Sequence, residues 1–188
     1  MIRSTIGRVG MLALVASLSG CAANYTTGNT STVLLLLAGI TPSPLQSDVL
    51  KGGGIFSDNA TLAVAVRFKN PNISTVPQIP SAVIIERYEI KYRRSDGRGV
   101  EGQDVPFAIS GNLTAGFDVK TSGTDPLIIE VVRAQAKLEP PLRNLRISGG
   151  AIIVTMFADI TLHGRTISGQ TVTTTGSLQI DFADWADQ

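Results

Sequence analysis

The sequence predicts an all-β fold, a single antiparallel β-sandwich of about seven strands, on three observations. Apolar residues recur at every second position in five separate segments, the period of a strand with one buried and one wet face. Turn residues punctuate these segments, with 19 Gly and 9 Pro in 188 residues, as a chain of short strands requires. Only Ala134 to Leu138 reads as helix, and Pro140-Pro141 stops it within about two turns, because proline lacks the N–H and clashes with the preceding turn. An up-and-down barrel is the architectural rival that the same pattern admits.

In chain order, Val33 to Ile40 is almost continuously apolar, as is Leu127 to Val132, and both are expected as central strands. The first is too short to cross a membrane. Leu62, Val64, Val66 and Phe68 alternate with Ala63, Ala65, Arg67 and Lys69, which gives one apolar face and one small or charged face. Tyr88, Ile90 and Tyr92 alternate in the same way with Arg87, Glu89, Lys91 and Arg93. Val105, Phe107 and Ile109 repeat the pattern, followed by Ile152, Val154, Met156, Ala158, Ile160 and Leu162, and finally by Val172, Thr174, Leu178, Ile180 and Phe182. Asp96-Gly97, Gly149-Gly150, His163-Gly164 and Ser168-Gly169 are expected as the intervening turns.

Composition excludes several functions. With 16 Lys+Arg against 15 Asp+Glu the formal charge is +1, which argues against a strongly basic nucleic-acid binder. A 43% apolar content excludes a wholly disordered chain. One Cys and one His supply neither an intramolecular disulfide nor a zinc shell, so no metal and no cofactor is expected.

The amino terminus carries the most specific signal. Arg3 and Arg8 precede a compact apolar stretch, Val9 to Leu18, too short to span a bilayer and followed by small residues, which is the pattern of an export leader. Leu18, Ser19, Gly20 and Cys21 resemble the lipobox of bacterial lipoproteins, in which the leader is cut before Cys and the thiol carries a diacylglycerol. That resemblance implies residues 1–20 as signal peptide and Cys21 as the lipidated first residue of the mature chain. Two or three acyl chains anchor stably where one anchors only marginally, each buried methylene contributing about 0.8 kcal/mol. Residue 22 is Ala, not the Asp that holds many such proteins at an inner membrane, so the resemblance implies the outer membrane if the cell has two. Cleavage removes Arg3 and Arg8 but no acid, leaving a mature charge near −1 with no long-range attraction for DNA. Residues 21–32 are expected as lipidated Cys and flexible tether, residues 33–188 as the sandwich domain. Fully extended, the 11 residues from Ala22 to Thr32 reach roughly 35 Å.

Candidate chemistry is sparse. Arg93, Arg94 and Arg98 surround Ser95, Asp96 and Gly97 in a basic hairpin tip that could grip an anion or a partner, since guanidinium forks bind carboxylate and phosphate bidentately. Glu86, Glu89, Glu101 and Asp104 are near enough in sequence to neutralise it across the hairpin instead. His163 has no nucleophile elbow to serve and reads as an exposed strand-end residue. Asp181, Asp184 and Asp187 match no calcium loop and read as a solvated acidic end. Gly52, Gly53 and Gly54 precede Ile55-Phe56 with no Lys-Ser or Lys-Thr, so they make no phosphate loop.

Two further resemblances bear on the domain. Val66, Arg67, Phe68, Lys69, Asn70, Pro71 and Asn72, followed by a strand with Tyr88 and Tyr92, resemble the strand-to-Asn-Pro-Asn signature of the water-stress/hypersensitive-response (WHy) domain of type-2 late-embryogenesis-abundant proteins. This implies an immunoglobulin-like antiparallel sandwich without recognised catalytic residues. Tyr92 to Arg98, Gly102 to Pro106, Ala136 to Leu142 and the ending Asp181 to Asp184 resemble uncharacterised bacterial lipoproteins, a similarity that implies relatives and no activity.

The expectation is therefore a non-enzymatic lipoprotein of the cell envelope. Its partners would be the membrane, through the lipid anchor, and an envelope protein or polymer bound by loops or a sheet edge, with no nucleic acid. The alternative is an envelope hydrolase or carbohydrate-active module, which would need two Asp or Glu carboxylates about 5 to 10 Å apart in a groove.

Overall fold

Alternating buried and exposed side chains build eight strands in two sheets. A computed structural model describes residues 31–70 and 82–185. The leader, Cys21, residues 22–30 of the tether, Pro71 and Asn72 of the Asn-Pro-Asn motif, and Asp187 lie outside the described residues. The strands are β1 (Val33–Thr41), β2 (Leu45–Asp48), β3 (Asp58–Phe68), β4 (Val83–Arg94), β5 (Ile109–Phe117), β6 (Asp125–Val132), β7 (Val154–Thr166) and β8 (Thr171–Ala183). Between β6 and β7 come a five-residue helix, α1 (Ala134–Leu138), and a 3-10 helix over Leu142–Ile147.

One sheet has the order β1-β3-β6 and the other β2-β8-β7-β4-β5. Every pair is antiparallel except β2 with β8, which runs parallel from Leu45 opposite Ile180 to Asp48 opposite Ala183. This short strand is the additional one beyond the seven or so that the alternation suggests, because four residues between prolines and a glycine turn carry too few periods to be recognised.

The period-two reading holds best along the long central strands. Leu62, Val64 and Val66 of β3, Tyr88, Ile90 and Tyr92 of β4, Met156 to Leu162 of β7 at every second position, and Leu178, Ile180 and Phe182 of β8 are all buried in one core between the sheets. The layers are also joined by polar contact: Tyr92 Oη donates to the carbonyl of Val131 at 2.6 Å, reaching from β4 to β6. At Gly176 of β8 the opposing Leu37 of β1 leaves no room for a Cβ, so the glycine that interrupts the apolar series of β8 is where the two layers approach closely. α1 matches the residues expected, and it stops before the Pro140-Pro141 pair.

Four local expectations are corrected. Val33–Thr41 and the Leu127 to Val132 run lie at the two edges of the three-stranded sheet, with β3 in the middle. A continuous apolar run reports two apolar faces, not a central position, and here the second face stays open: Leu34, Leu36 and Ile128 are 36%, 40% and 67% exposed. Val105 is buried but belongs to a turn closed by Gly102 N–H on the Val105 carbonyl at 2.8 Å, and Phe107 is exposed, so β5 begins only at Ile109. Ile152 is exposed and precedes β7. His163-Gly164 is not a turn but lies inside β7, facing the irregularity of β4 between Ile85 and Arg87. A Cβ at Gly164 would sit 2.8 Å from the Ile84 carbonyl oxygen, so the glycine accommodates a bulge.

Candidate functional site

The sandwich has two unlike ends, and their difference follows from the register. Ser31 and Thr32 enter beside the start of β1. Ser31 is buried and its Oγ accepts the Val33 N–H at 3.1 Å, while the Thr32 carbonyl accepts the Lys69 N–H at 3.0 Å. Among the described residues, contacts to the sheet begin with Ser31 and Thr32. At this entry end Val33 lies opposite Phe68, and in the other sheet Val83 lies opposite both Phe117 and Thr166.

At the far end β1, β2, β4, β6 and β8 finish and β3, β5 and β7 begin. Three long connections lie there, residues 49–57, 95–108 and 133–153, whereas residues 69–82 join β3 to β4 at the entry end. The three far-end connections leave Phe56, Val100, Phe107, Leu138, Ile152 and Ile153 more than two-fifths exposed. Two of these are seated on glycine. A Cβ at Gly54 would meet the Phe56 ring at 2.7 Å, and one at Gly102, whose φ is +73°, would meet the Phe107 ring at 2.8 Å. One face of each ring thus packs on backbone.

The basic hairpin tip lies at this loop end, and each of its three guanidinium groups meets a carboxylate. Arg98 grips Asp96 with Nε at 2.9 Å and Nη2 at 2.7 Å, and Arg94 Nε lies 3.4 Å from the same carboxylate. Arg93 Nε donates to Asp159 of β7 at 2.9 Å, with its guanidinium 4.6 Å from the centre of the Phe157 ring. Hydrogen bonds from the Arg98 side chain and backbone hold the Asp96 carboxyl down at about 2. Of the acids close in sequence, only Asp104 is within reach of the tip, 3.8 Å from Arg98 Nη1. Glu86 instead meets Arg165 at 3.3 Å and Glu89 meets Arg87 at 2.5 Å. An anion at the tip would therefore displace Asp96 or Asp159, which the sequence spacing does not identify as the principal partners.

A buried polar group behind the loops was not visible in the sequence. Lys137 of α1 is 1% exposed; its Nζ lies 2.8 Å from Asp58 Oδ2 of β3 and donates to the Asp48 carbonyl of β2 at 2.7 Å. Ser47 Oγ, also buried, donates to the same Asp58 oxygen at 2.6 Å. Asp48 Oδ1 in turn accepts the N–H groups of Leu50 and Trp185. One lysine on a five-residue helix thus fastens α1 to a strand of each sheet. A buried charge is tolerated only when paired and hydrogen-bonded, and both conditions are met. Its neighbours Gln135, Ala136 and Leu138 give no pattern that would distinguish it from a solvated lysine.

The remaining candidates stay apart. His163 is mid-strand on β7, partly exposed, with Nε2 3.8 Å from Glu89 Oε1 and beyond hydrogen-bond reach. Asp181 Oδ1 accepts Thr155 Oγ1 at 2.7 Å and Gln179 Nε2 at 3.2 Å. Among the described residues no group of three or more His, Cys, Asp or Glu side chains is placed to hold a metal ion, and no helix is long and apolar enough to cross a membrane. The loop end thus combines exposed apolar side chains with ion-paired arginines, over a base fastened by Lys137. No protein-family model matches the chain, and no curated protein matches it.

Proposed function

We propose that this chain is a cell-envelope lipoprotein, acylated at Cys21 and placed in the outer membrane of a two-membrane cell, whose sandwich has a non-catalytic binding role. The observation that carries the binding part of this reading is that Ser31 leads into β1 at one end, while among the described residues the exposed Phe56, Val100, Phe107, Leu138, Ile152 and Ile153 stand on three long loops at the other. A lipid at Cys21 would hold the entry end to the bilayer and leave the loop end free for a protein or polymer of the envelope. Of the exposed side chains at that end, Phe56 and Phe107, together with the arginines of the tip, are of the kinds that interfaces enrich.

The test is metabolic labelling of bacteria that express the full chain or Cys21→Ser, followed by detergent phase partition. The native chain incorporates labelled palmitate and enters the detergent phase, and Cys21→Ser does neither. Equal behaviour of the two chains would overturn the anchor. A photocrosslinker at Phe107 is expected to capture an envelope component that one at Thr171, at the entry end, does not; equal capture would overturn the binding role of the loops.

A further inference from the structure

The two outer faces of the sandwich differ in chemistry. On the five-stranded sheet the outward positions of β8 are Thr171, Thr173, Thr175, Ser177, Gln179 and Asp181, and they lie beside Asp159 and Thr161 of β7. On the three-stranded sheet an apolar patch occupies the middle of the outer face, with Arg67 towards one end and Asn59 and Glu130 towards the other. Leu34 and Leu36 of β1 stand beside Arg67 and Ala65 of β3, Gly39 stands beside Ala63, and Pro126 and Ile128 of β6 flank Ala63 and Thr61 on the other side. Between Leu36 and Ile128 there is no charged residue. The Arg67 guanidinium is turned to the rim, where it donates to the carbonyls of Val66 and Gly123.

From this face we infer that the outer surface of the β1-β3-β6 sheet rests on the lipid bilayer, with Leu34, Leu36 and Ile128 entering the interface. This inference rests on the lipid anchor proposed above. Its occupant follows from the chain path. β1 is the strand that continues directly from the tether, and only residues 22–30 separate Cys21 from Ser31. An acylated Cys21 therefore confines Ser31, which leads into β1, to within roughly 35 Å of the bilayer, and of the two sheet faces the bilayer favours the one with the apolar patch. Three strands make a face about 10 Å wide, and a face of that width seats a few aliphatic side chains at the boundary of headgroups and acyl chains. With the sheet lying flat, the loop end stays at the side of the domain and remains accessible to a partner.

The experiment exploits the cysteine count. Cys21 is the only Cys in the chain, so once it is acylated, a cysteine introduced by Leu36→Cys, Ile128→Cys or Thr175→Cys is the sole free thiol. Each full-length lipidated variant is labelled with an environment-sensitive fluorophore and reconstituted into phosphatidylethanolamine–phosphatidylglycerol vesicles with and without a lipid-borne quencher. Flotation reports the anchor, and quenching reports the face. Labels at 36 and 128 are expected to be quenched at least about twofold more than the label at 175. Flotation with equal quenching at all three positions would overturn the inference and leave the anchor standing. Loss of flotation would remove the anchor and the inference together. Because Ile128 is 67% exposed, its variant reports the face even if Leu36→Cys disturbs β1.

Discussion

Lys137 Nζ sits 2.8 Å from Asp58 Oδ2, and the two ends of this pair are unequally protected: the lysine side chain is 1% exposed and the aspartate 20%. Breaking the pair from either side should therefore cost different amounts. Asp58→Asn leaves an ammonium buried with only the Asp48 carbonyl and a neutral amide beside it, which costs about 3 to 5 kcal/mol. Lys137→Met removes the buried charge itself and leaves Asp58 with the Ser47 hydroxyl and partial access to water, a loss nearer 1 to 3 kcal/mol by the usual penalty for an unmade buried hydrogen bond, about that size. Urea unfolding of both variants checks the order; an equal or larger loss for Lys137→Met would show that the lysine is not held as a buried charge.

Tyr92 joins the layers through its hydroxyl. Burial, the largest influence, pushes its phenol well above the ordinary 10. Because the folded-state value is raised, the neutral phenol contributes stability that is complete below about pH 10 and is lost as pH rises through the folded value. Tyr92→Phe leaves the Val131 carbonyl without this donor and should cost about 1 to 3 kcal/mol at neutral pH. The same substitution should flatten the decline of stability above pH 10. A native-like alkaline decline in the variant would place its origin elsewhere.

Asp96 organises the arginine tip from an exposed position. Its carboxyl is lowered from 3.8 to about 2, first by the Arg98 side-chain hydrogen bond and then by the Arg98 backbone. A depressed folded value means that the contribution of this contact is present above pH 4 and is lost as pH falls towards 2. Carboxyl-carbon NMR should therefore show Asp96 titrating near 2, and Arg98→Gln should move the midpoint back towards 3.8. An unmoved midpoint would mean that the Arg98 side chain does not hold it.

Glycine at 164 and at 116 should respond oppositely to alanine. A Cβ at Gly164 meets the Ile84 carbonyl oxygen at 2.8 Å and Ile85 Cα at 3.3 Å, both backbone atoms, so Gly164→Ala should destabilise by about 1 to 3 kcal/mol. At Gly116, on the edge strand β5, nothing lies within 4 Å, and Gly116→Ala should be neutral or stabilise by up to about 1 kcal/mol through the unfolded chain. Thermal unfolding of the two variants decides, and a destabilised Gly116→Ala would show an obstruction absent from this structure.

The fold was legible in the sequence wherever a strand is long and half-buried. Tyr88, Ile90 and Tyr92, or Leu178, Ile180 and Phe182, declare their inward face because a side chain's parity depends only on its neighbours two positions away. The helix at Ala134–Leu138 was legible for a similar reason, since proline acts on the adjacent turn. Periodicity misled at Phe107, where alternation continues through a turn that Gly102 and Val105 close, and turn chemistry misled at Gly164, where the glycine marks a bulge inside β7.

Class, parity, the short helix and the lipobox-like Leu18 to Cys21 are thus properties of local sequence, fixed by backbone sterics and by the spacing of apolar side chains. Strand order, the parallel seat of β2 beside β8, the partners of the arginine tip and the burial of Lys137 belong to the tertiary structure alone. Their physical cause is that backbone hydrogen bonding between strands carries no residue identity. Asp58 and Lys137 are 79 positions apart, and only the packed layers bring them within 2.8 Å.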